Sequence, residues 1–193
     1  MADPARRALE RDASAGDPSA SRQLLVARLR AGEVEAGALE LAARLGLPLA
    51  RAALGEGAPA PASSLAELAG ALEACGRLIC AHATRACAVA AGALRPSDDP
   101  FERETTARLM ATLDAWLVDP SRKHQRRLAD QDHDYLAWVA NSYWLNALVV
   151  VATEPDWAAQ TRHVLQTADS NGVSEEALAA LRPLARSLLE SPS

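Results

Sequence analysis

The sequence predicts an all-α fold, with short N-terminal helical-hairpin repeats packed on a C-terminal bundle of about five helices. Three observations predict it. First, an eight-residue pattern, A-x-x-G-x-P-x-A, occurs at residues 13–20 and again at residues 43–50, thirty positions apart. Glycine ends a helix by taking the left-handed conformation, and proline two positions later suits the first turn of the next helix. Second, the chain is 49% hydrophobic but has one Phe and two Tyr, so alanine fills much of the apolar fraction. That composition favours helices that approach closely over sheets. Third, Pro- and Gly-containing breaks divide the 193 residues into helix-sized pieces.

The pieces follow in order. Residues 4–14 form a first helix, with Asp3 as its cap and Pro4 at the first helical position. Residues 18–31 form a second, entered through Asp17-Pro18, with Ala20, Leu24, Leu25 and Leu29 on its apolar stripe. Residues 34–45 place Leu39, Leu41 and Leu45 inward, and a short helix over 48–54 closes the module at Gly55. Next comes a linker rich in Gly, Ala and Pro. Ser64 and Glu67 then have the S-x-x-E spacing of a capping box, opening a helix that runs to Leu94, interrupted at most at Gly70 and Gly76. A break at residues 96–100 precedes a helix over 101–118, with Leu109, Leu113, Trp116 and Leu117 inward. After Asp119-Pro120-Ser121, one long helix covers 122–152, with a kink near Asn141-Ser142. Glu154-Pro155-Asp156 opens another, ending near Ala168. The last, begun by Ser174-Glu175-Glu176, runs to about Glu190 with a kink at Pro183.

These pieces suggest residues 1–55 as a hairpin module, 56–62 as a linker and 63–193 as a bundle. Two hairpins are fewer than the three repeats that stabilise a stack. The leucines at 39, 41, 45, 47, 49 and 54 exceed what two thin layers hide, so the module is expected to dock near Leu65, Leu68 and Leu72.

Charge and motif content narrow the function. The net charge is −5, and the only basic cluster, Arg122, Lys123, Arg126 and Arg127, runs directly into Asp130, Asp132 and Asp134. That is not the broad uncompensated patch nucleic acid requires. No apolar run is long enough to span a bilayer and no secretory signal is visible, so the expected location is the cytoplasm. The excess of Arg over Lys, nineteen to one, reflects GC-rich coding. Cys75, Cys80 and Cys87 lack a C-x-x-C element and are odd in number; they read as small apolar packing residues. The chain has no nucleophile elbow, phosphate-binding loop, dinucleotide fingerprint or H-E-x-x-H. A non-enzyme without a cofactor is therefore expected.

Two clusters remain. Asp130, His133 and Asp134, with one further histidine, are candidate metal donors; read otherwise, this is a solvated helix face with Arg126–Asp130 pairing. Tyr135, Trp138, Tyr143 and Trp144 place four of the seven aromatic residues within ten positions. Trp144 falls on a core face, while Tyr135 and Trp138 share another and are candidates for contacting a protein partner.

The stretch from Cys80 to Arg127 reads as an Ala- and Arg-rich helix, the turn Arg95-Pro96-Ser97-Asp98-Asp99-Pro100, a helix ending Asp114-Ala115-Trp116-Leu117, then Asp119-Pro120-Ser121. In this it resembles a family of uncharacterised Ala-rich helical domains of GC-rich bacteria, which is similar in turn to the Imm-5-like immunity domains of bacterial toxin systems. The N-terminal segments resemble helical repeats found before such domains. The resemblance implies an immunity-like role and carries over no catalytic residue. The helical repeats, the lack of a catalytic motif and the aromatic cluster point to a protein that binds another protein, as an immunity-like neutraliser or an adaptor; the alternative is a small-ligand- or metal-binding helical bundle.

Overall fold

A computed structural model describes residues 4–92, 98–130 and 142–190. Among the described residues there are eleven α-helices and no strand, so the fold is all-α. The helices are α1 (Pro4–Ser14), α2 (Pro18–Arg30), α3 (Ala36–Arg44), α4 (Pro48–Leu54), α5 (Ala69–Ala74), α6 (Arg77–Ala90), α7 (Pro100–Val118), α8 (Arg122–Ala129), α9 (Ser142–Thr153), α10 (Trp157–Ser170) and α11 (Ser174–Glu190). Short 3-10 turns occupy Gly55–Gly57 and Ala66–Leu68. No described helix is long and apolar enough to cross a membrane.

The contacts divide the chain into two compact units, residues 1–63 with 181–193, and residues 64–180. The sequence reading closes its first module at residue 55 and gives 63–193 to one bundle; by contacts, the second half of α11 belongs with the N-terminal helices.

The first unit is built on the repeated pattern. In both copies the helix ends with the same pair of hydrogen bonds. Gly16 N–H donates to Ala13 O at 3.0 Å and Asp17 N–H to Asp12 O at 3.1 Å; Gly46 N–H donates to Ala43 O and Leu47 N–H to Ala42 O, both at 3.0 Å. These are the paired bonds of a Schellman ending, and they need the left-handed φ of +89° at Gly16 and +80° at Gly46. Pro18 and Pro48 then start α2 and α4. Asp17 also caps α2, its Oδ1 accepting Ser19 N–H at 2.8 Å. Leu25, Val34, Leu39, Leu41, Leu45 and Ala50 are buried, and Leu181, Ala185 and Leu189 of α11, spaced four apart, are buried with them in this unit.

In the second unit, α6, α9 and α10 pack against one another. The buried positions of α6 include Cys80, Ala83, Thr84, Cys87 and Ala88, all small, which lets its neighbours approach closely. Against them stand Leu145, Leu148 and Val149 of α9 and Val164, Leu165 and Ala168 of α10. The hydroxyls buried here donate within their own helices, Thr84 Oγ1 to Cys80 O at 3.0 Å and Thr161 Oγ1 to Trp157 O at 2.8 Å.

One expected helix is corrected, and another is divided at one of its two anticipated break points: Gly76 at φ +89° ends α5 and α6 restarts at Arg77, while Gly70 lies within α5. The helix expected over 122–152 stops at Ala129, where Asp130 N–H bonds back to Arg126 O at 2.8 Å and the chain turns. The kink expected at Asn141-Ser142 lies at the edge of residues 131–141, outside the described residues. The helix around Pro183 is continuous from Ser174 to Glu190.

Candidate functional site

The first unit carries an open cleft of about 460 Å³. Helix α2 supplies Ser21, Leu24, Leu25 and Arg28 to it, at the i, i+3, i+4, i+7 spacing that puts residues on one helical face. The Gly46 ending turns the chain so that Leu47, Pro48 and Leu49 form a second wall. The end of α11 supplies Arg186, Leu189 and Glu190, again one face, and Ala13 of α1 completes the lining.

The walls are apolar and incompletely hidden. Leu25 and Leu189 are buried, Leu24 is half-buried, and Leu49 is 38% exposed, one of four large apolar side chains so exposed among the described residues. An apolar group left this open to water is a surface on which burial by a partner is favourable.

The polar groups around the cleft are mostly engaged with the fold. Ser21 Oγ donates to Asp17 O at 2.9 Å. Arg28 donates from Nη1 to Leu189 O and from Nη2 to Glu190 O, and its Nε lies 3.6 Å from Glu33 Oε2. Glu33 in turn accepts from Arg6 Nη2 at 2.7 Å. The Arg6 guanidinium, helped by Arg28, holds the Glu33 carboxyl below the usual carboxylate range, although both partners are substantially exposed. By contrast, the exposed side chains of Arg186 and Glu190, one helical turn apart, make no hydrogen bond or ion pair with a described residue. Two apolar walls with a charged edge suit binding.

Tyr135 and Trp138, the candidate partner contacts, and His133 and Asp134 of the candidate metal set lie outside the described residues. Asp130 is described and exposed, just past α8. The candidate fourth donors sit on three helices, His82 on α6, His124 on α8 and His163 on α10. His124 Nδ1 lies 3.0 Å from Asp119 O, and His163 stacks edge-on with Tyr143 at 5.8 Å. No group of three or more metal-binding side chains assembles among the described residues.

Trp144 is a core residue, 8% exposed, in edge contact with Tyr143 at 5.2 Å; the Tyr143 hydroxyl donates to Thr167 Oγ1 at 3.1 Å. The three cysteines form no disulfide. Cys80 and Cys87 are buried, and burial pushes each thiol up to about 12, which keeps them protonated and unreactive near neutrality.

Sequence reasoning did not find the cleft. Its one signal was the surplus of leucines over 39–54, which includes Leu47 and Leu49. Compared with protein-family models, curated proteins and solved structures, the chain matches none.

Proposed function

We propose that this chain is a non-enzymatic helical protein that binds another protein, in an immunity-like or adaptor role, and that the cleft of its first unit is the binding surface. The observation that carries this reading is the leucine-walled cleft with Leu49 left 38% exposed at its edge. A pocket for a small molecule gathers convergent polar groups inside apolar walls. Here Ser21 and Arg28 are turned to the fold, and the two charges without a described partner stand on α11 at the cleft. That distribution suits the apolar centre and polar rim of a protein interface.

The test is affinity capture on the full chain beside a Leu49→Asp variant of unchanged helicity and melting temperature. A protein retained by the parent and lost by the variant is the expected result. A partner held equally by both puts the interface elsewhere. Absence of any stoichiometric protein in the source cell's extract overturns the reading.

A further inference from the structure

We infer that the outer face of α8 is a second interaction surface, and that it takes a short acidic segment of a partner protein. It lies in the second unit and does not depend on the cleft. Residues 64–180 carry sixteen acidic and ten basic residues, yet four of those ten stand in the eight residues of α8, which has no acidic residue. The charge is sorted by face. Leu128 is fully buried, Gln125 Nε2 donates to Ala152 O at 3.1 Å, and His124 Nδ1 lies 3.0 Å from Asp119 O, so these three residues tie down one side of the helix. On the other side Arg122, Lys123 and Arg126 are exposed, with Arg127 next to them.

Arg122, Lys123 and Arg126 make no hydrogen bond or ion pair with a described residue; Arg126 and Asp130 stand one turn apart, but the pairing expected between them does not form. Two of the three also occupy the first turn of α8, where the helix dipole favours carboxylates. Breaking a local rule in this way is expected at a working surface. The single sign of the face selects an anionic partner, and its ends limit that partner's length. Asp119 before α8 and Asp130 after it are both exposed. A phosphate backbone running past the helix meets those carboxylates, whereas a short acidic stretch of polypeptide ends between them. Arg122 and Arg126, about 6 Å apart along the axis, match carboxylates one turn apart on a helix or two positions apart on a strand. Val118, four residues before Arg122 and 87% exposed, adds an apolar contact for a side chain flanking the carboxylates. Exposed charge contacts of this kind govern encounter rate and selectivity more than affinity, and salt weakens them.

The experiment is selection of displayed random peptides on the full chain, then titration of the enriched peptides read by backbone amide shifts. Three baits are used: the parent, Arg122→Glu/Arg126→Glu, and Arg22→Glu/Arg30→Glu, which makes the same change of charge at two exposed arginines of α2. The parent should enrich peptides with clustered carboxylates that shift the amides of α8 and Val118. Arg122→Glu/Arg126→Glu should weaken them at least about tenfold, and Lys123→Gln, a milder change, in part. The α2 variant should stay within about twofold of the parent, because charges beyond a Debye length are screened. Equal losses in the two double variants reduce the attraction to net charge and overturn the proposal. So does a parent that enriches no acidic peptide, or one whose peptides shift only amides outside α8. A single-stranded oligonucleotide or phosphatidylserine vesicles bound more tightly than every enriched peptide, and lost with Arg122→Glu/Arg126→Glu, overturn it in favour of nucleic acid or an anionic membrane. None of these outcomes bears on the cleft, which Leu49→Asp tests separately.

Discussion

The guanidinium of Arg28 closes the end of the last helix, donating from Nη1 to the carbonyl of Leu189 at 2.5 Å and from Nη2 to that of Glu190 at 3.2 Å. The last carbonyls of a helix have no partner of their own, and one so close to buried Leu189 is costly to leave unmade. Arg28→Ala should lower stability by about 2 kcal/mol, since the lost bonds are charge-assisted. Arg28→Lys should recover only part of it, because a single ammonium does not reproduce the planar fork. Urea denaturation of the three proteins measures this; equal midpoints would show that water replaces the contact without loss.

Gly16 and Gly46 hold equivalent places in the repeated pattern, and both need a left-handed backbone. A Cβ at Gly16 meets nothing within 4 Å, and at Gly46 it comes no closer than 4.0 Å to Pro61. The cost of Ala at either site is therefore conformational, about 1–2 kcal/mol, with no added clash. The two variants should lose similar stability. Thermal melts that differ by more than the error would mean that the two copies are not energetically alike.

Asp169 acts as a cap at long range. Its Oδ1 and Oδ2 accept the N–H groups of Leu65 and Ala66, each at 2.9 Å, and Oδ1 also accepts from Ser174 Oγ at 2.5 Å. Asp169→Ala strands two backbone donors and a hydroxyl, one of the donors beside fully buried Leu65, and should cost about 2–3 kcal/mol. Asp169→Asn keeps one acceptor and should cost less. Hydrogen exchange at Leu65 and Ala66 reports it directly: both amides should lose protection in the Ala variant, and unchanged protection would remove Asp169 from this role.

His82 should give the stability a pH slope. Burial, and after it the Arg85 guanidinium, holds its pKa below the ordinary 6.5, with Asp114 opposing. For a base depressed in the folded state, the unfolded chain takes up the proton first. Its contribution is therefore complete above about 6.5 and declines as pH falls from there towards the folded value. Denaturation midpoints should drop between about pH 7 and pH 5, and His82→Gln should flatten that part of the curve. A slope that survives the substitution would place its origin in other groups.

The sequence by itself determined many of the helix ends, because these are local events. Asp17-Pro18 and Asp99-Pro100 each start a helix with the aspartate accepting the N–H two residues on, at 2.8 Å. Gly16 and Gly46 end theirs through bonds that span at most five residues. Periodicity also identified buried faces, such as Leu109, Leu113 and Trp116 on α7. Where two local signals compete, as at Gly76, spacing alone did not say whether the helix breaks or bends.

What only the tertiary structure decided lies far apart in the chain. Arg28 finds its carbonyls 161 and 162 residues away, and Asp169 caps donors 104 and 103 residues back. The cleft has the same character: Leu24 and Leu49 were legible as apolar, but the last helix, which carries Arg186, Leu189 and Glu190, was assigned whole to the other half of the chain. A local pattern fixes the backbone a few residues either way. Which helix end meets which side chain depends on how whole elements pack, and that term is set by non-directional apolar burial spread over many residues.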